Sequence, residues 1–166
     1  MSLLIVESPA KARKIQSYLK HQKIQVLSSY GHITNLDTRQ LDTMISSKFT
    51  PIYTSLRDKS KIIRELKQAG KQKEIILGAD DDREGDAIAW HCGNLFNLDY
   101  QKKNRIVFNE ISKQAIERAL QNKTTLNMNS VNSQRCRQLL DLWLGFKLSP
   151  LLWKHINTSK KGLSAG

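Results

Sequence analysis

Residues 74–86 read EIILGADDDREGD, a short apolar run that passes directly into a cluster of carboxylates. The consecutive apolar residues 75–77 are typical of a strand that is buried on both faces of a parallel sheet. Residues 83–95 then have the apolar spacing of a helix. Because a buried strand that leads at once into a helix is the building unit of α/β folds, this stretch predicts an α/β domain.

The same unit recurs on both sides of this stretch. Residues 3–6, LLIV, predict a first buried strand, and Ser8-Pro9 predicts a capped helix start because proline suits the first helical position. Residues 28–51 are polar and contain breakers, so they are predicted to be mostly loop. The alternation predicts a parallel sheet of about four strands flanked by helices. The remaining strands are predicted at residues 24–27 and 105–108, and the remaining helices at residues 10–19, 55–69 and 112–120.

The pattern changes after the last of these helices. Residues 123–129 are polar, which places a boundary near residues 121–130. Residues 130–148 have the spacing of one long helix, and Pro150 is predicted to start a second, short one. We expect residues 1–122 to form the α/β domain. Residues 130–166 are expected to form a truncated helical segment that begins a second domain.

The charge of the chain points to a polyanionic partner. Its 166 residues include 27 lysines and arginines against 15 aspartates and glutamates, a formal net charge of +12. Nucleic acid is the first candidate. When lysine and arginine side chains neutralise its phosphates, counterions are released, and this release dominates the affinity of binding. A membrane surface is the rival, but no basic amphipathic helix with a Trp- or Phe-rich face supports it. Cys92 and Cys136 lie far apart without metal-ligand spacing, which favours a reduced, cytoplasmic compartment.

Five carboxylates fall within residues 80–86. Like charges this close are unfavourable unless a cation intervenes. Side chains alternate in an extended segment, so Asp80 and Asp82 can face one way while Glu84 reaches back from the next helix. Mg²⁺ prefers such hard oxygen ligands. Glu7 ends the first strand as Asp80 ends the third, and if these strands are neighbours all four acids converge where α/β sheets bind ligands.

The competing interpretation of this cluster is a solvated acidic turn, since acidic residues also suit a helix N-terminus. Two observations favour the metal site. The rest of the chain is strongly basic, so an acidic cluster is locally exceptional, and it lies at the functional edge of the predicted sheet.

Several motifs occur in a fixed order along the whole chain. They are LIVESPAKA (4–12), SYGHI (29–33), DDDREGDAIAWH (80–91), RIVFNEI (105–111), VN (131–132), Asp141, GFKLSPLLW (145–153) and LSAG (163–166). Together they resemble the N-terminal part of type IA DNA topoisomerases of the bacterial topoisomerase I kind. Residues 1–122 resemble a Toprim domain, an α/β module shared with some primases and nucleases. The resemblance implies an enzyme that relaxes negatively supercoiled DNA by transient single-strand cleavage through a 5′-phosphotyrosyl intermediate.

The resemblance assigns roles to five residues of the predicted site. Glu7 matches the glutamate that acts as general acid/base at the 3′-oxygen, and Lys11 matches a lysine near the scissile phosphate. Asp80, Asp82 and Glu84 match the acids that bind Mg²⁺, the one cofactor expected.

The resemblance also implies DNA contacts. His32 and Arg137 match positions associated with DNA contact, and Asp141 matches a neighbouring acid on the same helix. The chain departs from the family at Gln138 and Leu142, where the family usually has basic residues. Arg135 is expected to compensate for them.

The nucleophilic tyrosine of the family has no match here. None of the tyrosines, Tyr18, Tyr30, Tyr53 and Tyr100, lies in the Arg-Thr context of that motif. The chain is therefore expected to be an inactive fragment that needs the tyrosine in the remainder of the same polypeptide. The expected partner is the single-stranded DNA segment at the cleavage site. The protein is also expected to be monomeric, cytoplasmic and associated with the nucleoid. The alternatives are a free-standing Toprim nuclease or primase-like enzyme, and a non-enzymatic DNA-binding module.

Overall fold

The computed structural model describes residues 1–155, so the LSAG match and the end of the predicted second domain lie outside the described residues. The strands within the described part are β1 (Ser2–Val6), β2 (Ile24–Ser28), β3 (Thr34–Leu36), β4 (Tyr53–Ser55), β5 (Glu74–Ala79) and β6 (Arg105–Val107). The α-helices there are α1 (Pro9–Tyr18), α2 (Leu41–Ser46), α3 (Ser60–Ala69), α4 (Arg83–Asn94), α5 (Lys113–Gln121) and α6 (Met128–His155).

Four of the strands form one parallel sheet in the order β2-β1-β5-β6. Val6 of β1 lies opposite Ser28 of β2 on one side and opposite Gly78 of β5 on the other. The chain therefore extends the sheet in one direction through α1 and β2 and in the other through β5 and β6. This reversal creates a switch point between β1 and β5, the place where open α/β sheets bind ligands. The predicted parallel sheet flanked by helices is confirmed.

The sheet buries apolar side chains on both faces because successive residues of each strand point to opposite sides. The core on one face is completed by α3, α4 and the start of α6 through Leu66, Ile88 and Val131. The core on the other face is completed by α1 and α5 through Ile15 and Ile116. Each such side chain contributes about 1.5–3 kcal/mol when it leaves water, so the two cores fix the relative positions of the strand ends.

The segment predicted to be mostly loop contains a second, smaller sheet. β3 and β4 pair antiparallel, and α2 lies between them in the sequence. The loop prediction is wrong here because these elements are too short to show a period. A third apolar cluster stabilises them, in which Leu36, Leu41 and Met44 pack with Leu139 of α6. The predicted helix start at Ser55 is also wrong, since Ser55 belongs to β4 and α3 begins at Ser60.

Helix α6 runs without interruption through Pro150, so the predicted break at that residue is wrong. Proline removes one main-chain hydrogen bond, but its fixed φ is compatible with a helix, which can continue past it. Val131 and Leu139 are buried on α6, and Leu126 just before the helix is also in the core. In the part of the chain that the structure describes, no helix has both the length and the apolar composition that a membrane crossing requires.

Candidate active site

The carboxyl ends of β1 and β5 bring Glu7 and Asp80 to the same edge of the sheet. Val6 and Gly78 are register partners, and the two acids follow these strands within two residues. The condition on which the predicted convergence depended, that the two strands are neighbours, is therefore met. The acids lie at the switch point of the sheet rather than at an arbitrary turn.

Lys11 lies between these two carboxylates. Ser8 caps α1 by accepting a hydrogen bond from the Lys11 backbone N–H at 3.2 Å, so the helix begins immediately after Glu7. The Lys11 ammonium donates to Glu7 Oε1 and, at 2.6 Å, to Asp80 Oδ1. Burial opposes the charge of Lys11, but the hydrogen bonds to Asp80 and Glu7 outweigh it, and the pKa of Lys11 is raised. A positive charge therefore bridges two of the four acids, Glu7 and Asp80.

Asp82 and Glu84 are positioned by the start of α4. Asp82 is the N-cap, and its Oδ1 accepts a hydrogen bond from Gly85 N at 2.6 Å. Glu84 follows in the first turn with 65% of its side chain exposed. Gly85 is required at this point, because a Cβ there would lie 2.5 Å from the carbonyl oxygen of Asp80. The tight turn places Asp80, which follows β5, against the first turn of α4.

A single cleft of about 570 Å³ is lined by all four predicted acids. Its lining consists of Glu7, Ser8, Pro9, Tyr30, Gly31, Lys59, Asp80, Asp82, Glu84, Gly85 and Ile88. Within residues 1–155, no group of three or more His, Cys, Asp or Glu side chains is arranged to hold a metal ion by itself. The cleft is therefore an open acidic surface that differs from a closed metal cage. Lys11 lies outside its lining, in an adjoining cleft of about 370 Å³ that shares Asp80 and Asp82 with it.

Arg105 supports this acidic loop from beneath, a role that the sequence did not predict. Its side chain is 1% exposed and donates from Nη1 to Ala79 O at 2.9 Å and from Nη2 to Asp80 O at 2.9 Å. Its Nε lies 3.2 Å from Asp86 Oδ1. Burial lowers the pKa of Arg105, and Asp86 opposes that shift. The sequence contained one signal for the burial of Arg105, which is the apolar run of β6 that follows it, because such a run is typical of a buried strand.

His32 is the predicted DNA-contact residue that comes closest to the acids. Its Nε2 lies 3.6 Å from Glu84 Oε1, and its ring makes an edge contact with His91. His91 is buried, with Nδ1 2.7 Å from Thr34 Oγ1. Burial lowers the pKa of His91 to about 3, and the charges of His32 and Arg135 add to this effect. His91 thus connects α4 to β3 of the small sheet through Thr34 and supports the His32 ring from its buried side.

The match to known proteins covers the residues that form this cleft. Residues 2–111 match the model of the Toprim domain family. The chain belongs to the Toprim domain family. The Toprim domain and α6 together are similar to full-length topoisomerase I from Thermotoga maritima, with a TM-score of 0.87 and 38% sequence identity. The resemblance to a bacterial type IA topoisomerase is confirmed by this match, which covers 99% of this chain and 28% of the Thermotoga maritima chain.

The other predicted DNA contacts lie on α6, beside the Toprim domain and outside the lining of the cleft. Arg137 and Asp141 are 63% and 68% exposed and approach each other to 3.5 Å one helical turn apart. Arg135 stacks on the Trp90 ring of α4, with its guanidinium carbon 4.6 Å from the ring centroid. Arg137 is therefore presented to solvent, whereas Arg135 also helps to hold α6 against the Toprim domain.

The two departures from the family pattern on α6 have structural partners. Gln138 Oε1 accepts a hydrogen bond from the Tyr53 hydroxyl at 3.2 Å. Leu142 packs against the apolar cluster under the small sheet. Gln138 thus attaches α6 to β4, and Leu142 attaches it to the cluster that includes α2. These contacts account for the amide and the apolar side chain at two positions where the family usually has basic residues.

The cysteines differ in their surroundings. Cys92 is buried, and burial raises the pKa of its thiol to about 12. Cys136 is exposed on α6.

Proposed function

We propose that this chain is the part of a type IA DNA topoisomerase that supplies the metal-binding acids and part of the DNA contact surface. The observation that supports this most is the convergence of Glu7, Asp80, Asp82 and Glu84 on one cleft, with Lys11 bonded to two of these acids. The net charge of +12 supports a polyanionic substrate, since the acids alone would repel phosphate. The complete protein would relax negatively supercoiled DNA by transient single-strand cleavage through a 5′-phosphotyrosyl intermediate.

In this proposal Glu7 moves a proton at the 3′-oxygen that leaves and later returns. A carboxyl group at the rim of the cleft can do this if it comes within hydrogen-bond distance of that oxygen. Lys11 contacts Glu7 and Asp80, so its ammonium group lies beside the acids and is proposed to attract a phosphate that binds next to them. The N-terminus of α1 adds the positive end of its helix dipole beside it.

The donor set of the cleft fits Mg²⁺. Asp80, Asp82 and Glu84 offer hard carboxylate oxygens, and Mg²⁺ usually takes one or two carboxylates and completes its coordination with water and phosphate oxygens. A preformed group of three ligands is therefore not required. When bound, the ion would neutralise charge on the phosphodiester. Asp82 also caps α4, so its position is fixed whether or not it binds a metal.

The DNA contacts proposed outside the cleft are His32, Arg135, Arg137 and Asp141. Exposed Arg137 can reach a phosphate directly, and Asp141 beside it can orient its guanidinium. The proposed partner is the single-stranded segment at the cleavage site. We further propose a monomeric, cytoplasmic protein associated with the nucleoid.

The nucleophilic tyrosine is proposed to lie in the remainder of the same polypeptide. The chain spans 28% of the Thermotoga maritima topoisomerase I that it matches, which leaves ample length for it. A free-standing Toprim nuclease is less well supported, because the match extends beyond the Toprim residues 2–111 to 99% of the chain.

Plasmid relaxation tests this proposal. A longer protein that contains this chain and the proposed downstream tyrosine should relax negatively supercoiled plasmid with Mg²⁺, and Glu7→Gln should slow it by about 10²- to 10⁴-fold. Glu65→Gln is the matched control, since Glu65 is exposed on α3 and lies outside the cleft lining. The 166-residue chain alone should leave the plasmid supercoiled. Relaxation by this chain would contradict the proposed need for a downstream tyrosine, and metal-dependent nicking by it would favour the nuclease instead.

A further inference from the structure

The rim of the acidic cleft carries an exposed aromatic side chain that no step proposed above uses. Tyr30 lines the cleft together with Glu7 and Asp82, yet 52% of its surface is exposed. A tyrosine in this position would ordinarily gain from packing, and large exposed aromatics are common at binding surfaces.

The backbone of Tyr30 is held in a conformation that its residue type disfavours. Its φ is +56° and that of Gly31 is +81°. The left-handed region is uncommon for bulky residues, and such strain persists only where the surroundings fix it. Three hydrogen bonds do so: Tyr30 N donates to Ser28 Oγ at 2.9 Å, Gly31 N donates to Glu7 O at 2.7 Å, and Lys59 Nζ donates to Tyr30 O at 2.8 Å.

These bonds tie the ring to the site in two ways. The bond from Gly31 N to the carbonyl of Glu7 couples the loop directly to the residue proposed to move the proton. Lys59 places a positive charge 6.0 Å from the centre of the Tyr30 ring and also lines the cleft. The ring and the ammonium thus lie side by side in the lining of the cleft that holds the acids.

We propose that Tyr30 and Lys59 form a nucleotide subsite, in which an unpaired base of single-stranded DNA stacks on the Tyr30 ring and its phosphate contacts Lys59. Stacking platforms next to cationic side chains are how proteins hold single strands without reading their sequence. This inference rests on the proposed function, because it takes single-stranded DNA as the occupant of the cleft. It adds a residue that would set where the strand lies relative to Glu7.

The test measures binding of a single-stranded oligonucleotide that contains 2-aminopurine to the 166-residue chain, in buffer with magnesium chloride. Tyr30→Asn removes the ring while keeping a residue that tolerates positive φ, so the fold should be retained. It should weaken binding about 5- to 150-fold and abolish the quenching of 2-aminopurine by the ring. Tyr30→Phe should retain both, because stacking does not need the hydroxyl.

Lys59→Ala should reduce the slope of log affinity against log salt by about one, as the loss of one phosphate contact predicts. Lys20→Ala removes an equal charge from an exposed position outside the cleft lining and should leave the quenching unchanged. If the wild-type chain binds single strands and Tyr30→Asn binds and quenches equally, the subsite is refuted while the proposed function stands. If the wild-type chain shows no saturable binding, both the subsite and the proposed DNA substrate are refuted.

Discussion

Replacing Arg105 by methionine should destabilise the fold more than any surface substitution of the same kind. Methionine keeps most of the length and apolar volume of the side chain but removes the guanidinium. The change leaves the carboxylate of Asp86, whose side chain is only 11% exposed, without its cationic partner. It also removes the donors to the carbonyl oxygens of Ala79 and Asp80, which form the base of the acidic loop.

The magnitude follows from these contacts. Removing one member of a buried ion pair costs about 3–5 kcal/mol, because the remaining charge is left in a poorly solvated site. The two carbonyl groups add to this where water cannot reach them. Since small domains unfold with about 5–15 kcal/mol, Arg105→Met should consume a large part of the stability. Arg13→Met, at an exposed position on α1, should change it by less than about 0.5 kcal/mol.

Urea unfolding followed by circular dichroism measures the effect, with the double variant Arg105→Met/Asp86→Leu as the decisive comparison. Removing the carboxylate together with its partner eliminates the orphaned charge, so the double variant should be more stable than Arg105→Met alone. A loss below about 1 kcal/mol for Arg105→Met would show that the guanidinium does not support the loop. Additive losses in the double variant would show that Arg105 and Asp86 do not depend on each other.

Two further predictions concern the titration of buried groups. Because the pKa of His91 is about 3 in the fold and about 6.5 in the unfolded chain, stability should fall as pH drops through that window, by up to about 1.4 kcal/mol per pH unit. His91→Gln should make this fall shallower in urea unfolding between about pH 7 and about pH 5, and an unchanged profile would contradict the buried neutral imidazole. In thiol titration with Ellman's reagent, exposed Cys136 should react in the native protein and Cys92 only after denaturation, and rapid native reaction of both would refute the burial of Cys92.

The sequence by itself determined the features that depend on neighbouring residues. The apolar run before the acidic cluster determined β5, and the Ser8-Pro9 cap determined the start of α1. These predictions succeeded because burial on both faces and the pairing of helix N–H groups leave local patterns. The acidic cluster could also be recognised from the sequence, because its residues are close neighbours that directly follow the apolar run of β5.

Only the tertiary structure decided how distant residues meet. Local periodicity could not reveal that Lys11 bridges Glu7 and Asp80, because that contact depends on the pairing of β1 with β5. Nor could it reveal the small sheet of β3 and β4, whose three-residue strands are stabilised by packing against α6. Arg105 is the clearest case: an arginine in a short strand is ordinarily exposed, and only the carbonyl and carboxylate groups that surround it in the fold make its burial favourable.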